Sequence, residues 1–105
     1  MREMVKVLEE TDLPKEGQVT EAAGGRLCVA RLQGQIIVLD NDCPHSGGPL
    51  GQGMIENGCV VCPYHGWAFD LKTGEATHDH SEKVRIFESE VRNGSLMVRP
   101  PDYSA

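Results

Sequence analysis

Two short segments carry the residue types best suited to chemistry, Cys43-Pro44-His45 and Cys62-Pro63-Tyr64-His65. Each pairs one thiol with one imidazole, and sixteen residues lie between His45 and Cys62. Turn-forming residues follow both, Ser46-Gly47-Gly48-Pro49 after the first and Gly66 after the second, so each reads as a tight loop able to hold half of a metal site. Tetrahedral zinc on two Cys and two His is one reading. Zinc modules, however, usually keep their paired ligands alike, Cys with Cys and His with His, at short spacings. A mixed pair on each loop suits two metal ions of different character, one iron taking both thiolates and the other both imidazoles across two bridging sulfides.

The elements that must position these loops are short strands. Twelve Gly and six Pro divide the chain into brief segments rich in Val, Ile and Leu. The pattern predicts strands over 4–8, 19–22, 26–32, 35–40, 84–91 and 96–99. Turns are expected at Gly24-Gly25, Gln33-Gly34 and Asn93-Gly94. Residues 54–61 read as a hairpin turning at Asn57-Gly58, which would bring the two Cys/His loops side by side. Residues 41–81 hold most of the glycines, three of the four cysteines and all four histidines, and no segment sustains a helical period. The expectation is one all-β domain over 1–105, with an antiparallel base from about 1–40 and 82–100 and an inserted subdomain over about 41–81.

Composition bounds the partners. The 105 residues are 39% hydrophobic and 25% charged, ordinary values for a globular chain. Sixteen acids against ten bases give a net charge of −6, and the bases are scattered, so a nucleic-acid surface is excluded. The acidic balance suits docking on a basic protein, or simply keeps the chain soluble. The longest aliphatic run, Ile36-Ile37-Val38-Leu39, is far too short for a membrane span, and no signal peptide is legible at Met1–Lys6. A cytoplasmic protein is expected. In that reducing compartment, four cysteines point to metal rather than to disulfides.

The chain resembles the Rieske ferredoxins over nearly its whole length. The likeness is carried by 43–50 (Cys-Pro-His-Ser-Gly-Gly-Pro-Leu), by 62–67 (Cys-Pro-Tyr-His-Gly-Trp), and by Phe69-Asp70-Leu71 with Thr73-Gly74-Glu75. It implies a Rieske-type antiparallel β-sandwich or barrel base with a small cluster-binding subdomain at its tip. It also implies one [2Fe–2S] cluster, with Cys43 and Cys62 on the inner iron and His45 and His65 on the outer one. Neutral imidazoles in place of two thiolates make the centre less negative and raise its potential above that of an all-cysteine cluster.

Departures within the family refine this. Quinol-oxidising relatives carry two further cysteines in these loops, and the matching positions here are Gly48 and Tyr64, so that bridge is absent. Trp67 and Phe69 stand where those relatives place hydroxyls near sulfur, which predicts the low end of the Rieske range, about −150 mV. The stretch Ala76-Thr77-His78-Asp79-His80 lacks the proline many relatives have there and is expected to be a polar loop without a role. Cys59 and Cys62 match Cys-x-x-Cys, but residues three apart on a strand face opposite ways, so Cys28 and Cys59 are expected as buried small hydrophobes. Trp67 is expected to pack the subdomain.

The resemblance implies a soluble, monomeric one-electron carrier rather than an enzyme, with a flavoprotein reductase and a terminal ring-hydroxylating oxygenase as transient partners. The alternative is a small subunit fixed in a larger reductase, such as NADH-dependent nitrite reductase. A third possibility is a structural metal-binding module.

Overall fold

The computed structural model describes residues 3–44, 47–64, 66–79 and 81–99. They form ten strands, β1 (Val5–Glu9), β2 (Val19–Ala22), β3 (Leu27–Leu32), β4 (Gln35–Asp40), β5 (Met54–Glu56), β6 (Cys59–Val61), β7 (Ala68–Asp70), β8 (Ile86–Phe87), β9 (Ser89–Arg92) and β10 (Ser95–Val98). Three antiparallel sheets result, ordered β1-β10-β9, β2-β3-β4-β8 and β5-β6-β7. Three short 3-10 turns interrupt them, and no α-helix occurs among the described residues. The all-β expectation therefore holds, and no described helix is long and apolar enough to cross a membrane.

The β3–β4 hairpin is the centre of the molecule. Successive side chains on a strand face opposite ways, and here both faces are buried. Cys28, Ala30 and Leu39 point into one core with Leu50, Val60, Phe69, Leu71, Ala76 and Val84. Leu27, Val29 and Val38 point into the other with Ala22, Leu96 and Val98. A strand buried on both sides needs continuous apolar sequence rather than alternation, which accounts for the run Ile36–Leu39. The β5–β7 sheet lies against the first face and β1-β10-β9 against the second.

Three two-residue turns join the hairpins β3–β4, β5–β6 and β9–β10. At Gln33-Gly34, Asn57-Gly58 and Asn93-Gly94 both residues have positive φ, 53° and 76°, 52° and 78°, 52° and 79°. This is the turn whose twist matches that of the flanking strands, and each was legible in the sequence. The first is also held from a distance, since the Glu16 carboxylate accepts the Gln33 and Gly34 amides at 2.6 and 2.8 Å.

Two expectations need correction. The segment 84–91 is not one strand: Ile86 and Phe87 pair with Leu39 and Val38 on β4, whereas Ser89 pairs with Val98 on β10. The chain changes sheets at Glu88, whose carbonyl accepts the Arg99 amide at 2.9 Å and whose carboxylate meets Arg99 Nε at 2.9 Å. Alternation cannot reveal such a crossing because both halves remain extended. The strand β7, only three residues long, was not anticipated; it closes the small sheet by pairing Val60 with Phe69.

Candidate metal centre

The Cys43 and Cys62 loops have the same backbone hydrogen bonds. The Cys43 amide donates to Gly48 O at 2.9 Å, and the Cys62 amide to Trp67 O at 2.8 Å, each five residues on. Gly47 donates back to Cys43 O at 2.7 Å, and Gly66 to Cys62 O at 3.1 Å. Gly47 and Gly66 take φ of 72° and 75°, a left-handed conformation in which any other residue is strained. Repetition of a Cys-Pro start and a glycine four residues later therefore encodes two loops of one shape.

Their surroundings differ. The second loop is the tip of the β6–β7 hairpin, closed by the pair Val61 and Ala68. The first follows β4 and is closed by a lone bridge between Asp42 and Pro49. Both thiols are buried, Cys43 at 2% exposure and Cys62 at 1%, and they belong to one core cluster. The loops meet closely at Gly48, where a Cβ would lie 2.8 Å from Cys62 Sγ and 3.1 Å from the Tyr64 ring. Tyr64 itself is 63% exposed, so its ring covers this junction from the solvent side.

His45 and His65 lie outside the described residues, as does His80. The structure thus places the thiol half of the expected ligand set. Among the described residues, no three His, Cys, Asp or Glu side chains gather at metal-binding distance.

All four cysteines are free thiols, so the Cys59-x-x-Cys62 pair forms no disulfide, as the strand geometry required. The other two differ from Cys43 and Cys62 in setting. Cys28 is fully buried on β3, and burial first, then the Glu21 charge, pushes its thiol up to about 12. Cys59 is only half-buried, which corrects the expectation of a core residue. Its thiol is raised by that partial burial and then by Asp70. Both thiols are raised by their surroundings, and neither belongs to a Cys/His loop.

The residues present fit an iron–sulfur cluster. Two soft sulfur donors approach from opposed loops of matching shape, and glycine stands where a side chain would press on Cys62 Sγ. Trp67 packs between Phe69, at a centroid distance of 6.3 Å, and His78, edge-on at 4.0 Å. It is a packing residue of this subdomain, and His78 rests against its ring while staying exposed with Thr77 and Asp79, as expected of a polar loop. The loop after it is anchored as well, with the Thr77 amide on Ala68 O at 3.0 Å and Asp79 accepting from Ser81 at 3.0 and 2.6 Å. Sequence reading passed over Asn41, because an Asn-Asp pair after a strand looks like ordinary turn sequence.

The family model described as Rieske [2Fe-2S] domain matches residues 3–88. Aminopyrrolnitrin oxygenase PrnD of Pseudomonas fluorescens is 40% identical over 68 residues, 61% of this chain and 18% of that protein. The chain spans about a fifth of the length of the curated relatives it matches first. The solved ferredoxin of Sphingomonas yanoikuyae B1 has the same fold, with a TM-score of 0.80 at 22% identity, covering 94% of this chain and 100% of that one. A chain in the complex of reduced oxygenase and oxidized ferredoxin in carbazole 1,9a-dioxygenase aligns with a TM-score of 0.75 at 26% identity, covering 94% of each.

Proposed function

This chain belongs to the Rieske [2Fe–2S] domain family, and we propose that it works as a soluble, monomeric one-electron carrier of the cytoplasm. In this reading it takes electrons from a flavoprotein reductase and passes them to a terminal oxygenase of the ring-hydroxylating type. Cys43 and Cys62 hold one iron of the Rieske-type cluster, and His45 and His65 hold the other. The bound cluster supplies reversible one-electron chemistry.

The observation that carries the reading is the pair of loops meeting at Gly48, which buries two thiols at a junction beside the exposed Tyr64 ring. Burial keeps water from the sulfur donors, while the exposed Tyr64 ring places their junction near the surface. The chain's charge of −6 favours encounter with basic partner surfaces. Trp67 and Phe69 bring no hydroxyl toward the loops, and fewer donors stabilise a reduced, more negative centre less. The carbazole dioxygenase complex supports the oxygenase as acceptor, since its aligned chain is matched nearly end to end.

An anaerobic redox titration followed by EPR tests this. We expect a Rieske-type signal at a low potential, about −150 mV, nearly independent of pH around neutrality. A strongly positive potential overturns the carrier role proposed here. Zinc without iron reduces the protein to a structural module.

The curated relatives favour a second reading, because the aminopyrrolnitrin oxygenase match is to part of a much longer oxidoreductase. There the chain would be fixed within an enzyme assembly, as the small subunit of an NADH-dependent nitrite reductase is. Sizing of the native protein from its source separates the two. A free monomer supports the carrier, and permanent co-purification with an enzyme subunit supports the fixed component.

A further inference from the structure

We propose that Asn41 is a positioning residue for the Cys43 loop, holding it on the base through Glu21 and Gln52. The inference rests on the ligand set proposed above. Asn41 is 2% exposed and is the one buried polar residue among those described. Every polar group it has is engaged. Its amide donates to Arg26 O at 3.1 Å, and its carbonyl accepts the Leu50 amide at 2.7 Å. In the side chain, Nδ2 donates to Glu21 Oε2 at 2.7 Å and to Gly25 O at 2.9 Å. Oδ1 accepts the Gly51 amide at 2.6 Å.

These bonds join three parts of the fold. Glu21 lies on β2, Gly25 and Arg26 lie in the β2–β3 connection, and Leu50 and Gly51 follow the Cys43 loop. Asn41 therefore ties both ends of the loop to the base. Gln52 adds a second tie by donating Nε2 to Glu21 Oε1 at 3.1 Å. The approach is close enough to demand glycine at 51, where a Cβ would lie 2.6 Å from Glu21 Cγ and 3.0 Å from Asn41 Oδ1.

The need for this clamp follows from the contrast between the loops. The Cys62 loop is fixed by strands on both sides, β6 and β7, with β5 beside them. The ends of the Cys43 loop are joined by the isolated Asp42–Pro49 bridge, with no strand ladder between them among the described residues. A fully satisfied buried amide does for the first loop what a strand ladder does for the second, and groups that orient metal ligands act in this way.

The test compares the holoprotein with the Asn41→Ala, Asn41→Asp, Glu21→Gln and Asn41→Asp/Glu21→Gln variants, with Val98→Ala in the other core as a control for general destabilisation. The readouts are chelator-driven iron release below the melting transition, and hydrogen exchange at the Gly51 amide. Asn41→Ala and Asn41→Asp should release iron about tenfold faster, the lower end of the effect seen when an outer partner of a ligand is removed. Both should also exchange Gly51 faster. The double variant keeps the net charge and restores a donor–acceptor pair with the roles exchanged, so it should recover part of the loss. Val98→Ala should melt lower with its iron release unchanged. Release from Asn41→Ala no faster than from Val98→Ala overturns the positioning role while leaving the cluster reading intact. A wild-type protein without the Rieske signal overturns the cluster reading, and this inference with it.

Discussion

Gly48→Ala probes the contact between the two cysteine loops directly. Its new Cβ would sit 2.8 Å from Cys62 Sγ and 3.1 Å from two atoms of the Tyr64 ring. Non-bonded heavy atoms rest at about 3.5–4.0 Å, so the sulfur contact is too short by roughly 0.7 Å or more. Tyr64 is largely exposed and its ring can swing aside, but Cys62 is buried and cannot. The strain therefore falls on Cys62 Sγ. Overpacking of this kind costs about 1–3 kcal/mol, and in a domain of this size each kcal/mol lowers Tm by about 4–8 °C. Gly47→Ala is the matched comparison. Its φ of 72° makes alanine strained, by about 1–2 kcal/mol, but open space surrounds the added methyl. The two variants should lose comparable stability, measured by thermal melting of the holoprotein. Only Gly48→Ala should shift the EPR g-values and the visible absorption, because only it displaces a proposed ligand. Adding Tyr64→Ala should leave that shift in place, since the sulfur contact remains. Equal spectra for Gly48→Ala and wild type would refute the reasoning, as would an equal spectral shift in Gly47→Ala.

Other expectations concern ligands, turns and pH. Cys43→Ser and Cys62→Ser should each abolish the Rieske EPR signal, whereas Cys28→Ser should retain it; a Cys28→Ser protein that stays folded without the signal would move the ligand assignment. Glu16→Ala removes the acceptor of two turn amides at Gln33 and Gly34, and urea unfolding should show a loss of about 1 kcal/mol at unchanged m. The Cys28 thiol is raised from 9.0 to about 12 by burial and then by Glu21. Its contribution is complete below pH 9 and is lost as pH rises toward 12, at about 1.4 kcal/mol per pH unit. Cys28→Ala should flatten that alkaline decline in unfolding free energy relative to wild type. The Glu88 carboxyl is held below its ordinary 4.5 by the hydrogen bond from Arg99 and then by that residue's charge. Its contribution is present above 4.5 and lost as pH falls through the lower folded value. Glu88→Gln should reduce the steepness of acid unfolding below that point.

The two Cys/His motifs, the three two-residue turns and the all-β class were readable without coordinates, because each rests on local chemistry. A thiol next to a proline and an imidazole, or an Asn-Gly pair between apolar runs, restricts its own neighbourhood whatever the rest of the chain does. The double-sided burial of β3 and β4 was not read from the run Ile36–Leu39, which served only to exclude a membrane span, because the run does not say what covers each face. Contacts between distant segments were not legible. The crossing at Glu88 depends on β4 and β10 both being in reach, and an extended segment looks the same whichever sheet it joins. Asn41 is uninformative in sequence because its five hydrogen bonds go to residues that only folding brings near, from Glu21 to Gly51. Gly48 is a similar case. Its backbone permits a side chain, and it is the arrival of Cys62 Sγ from the opposite loop that forbids one. Sequence determined the candidate ligands and the shapes of their loops, through short-range sterics and donor chemistry. Tertiary structure decided how closely the loops meet and what holds each in place, because packing at a distance leaves no local signature.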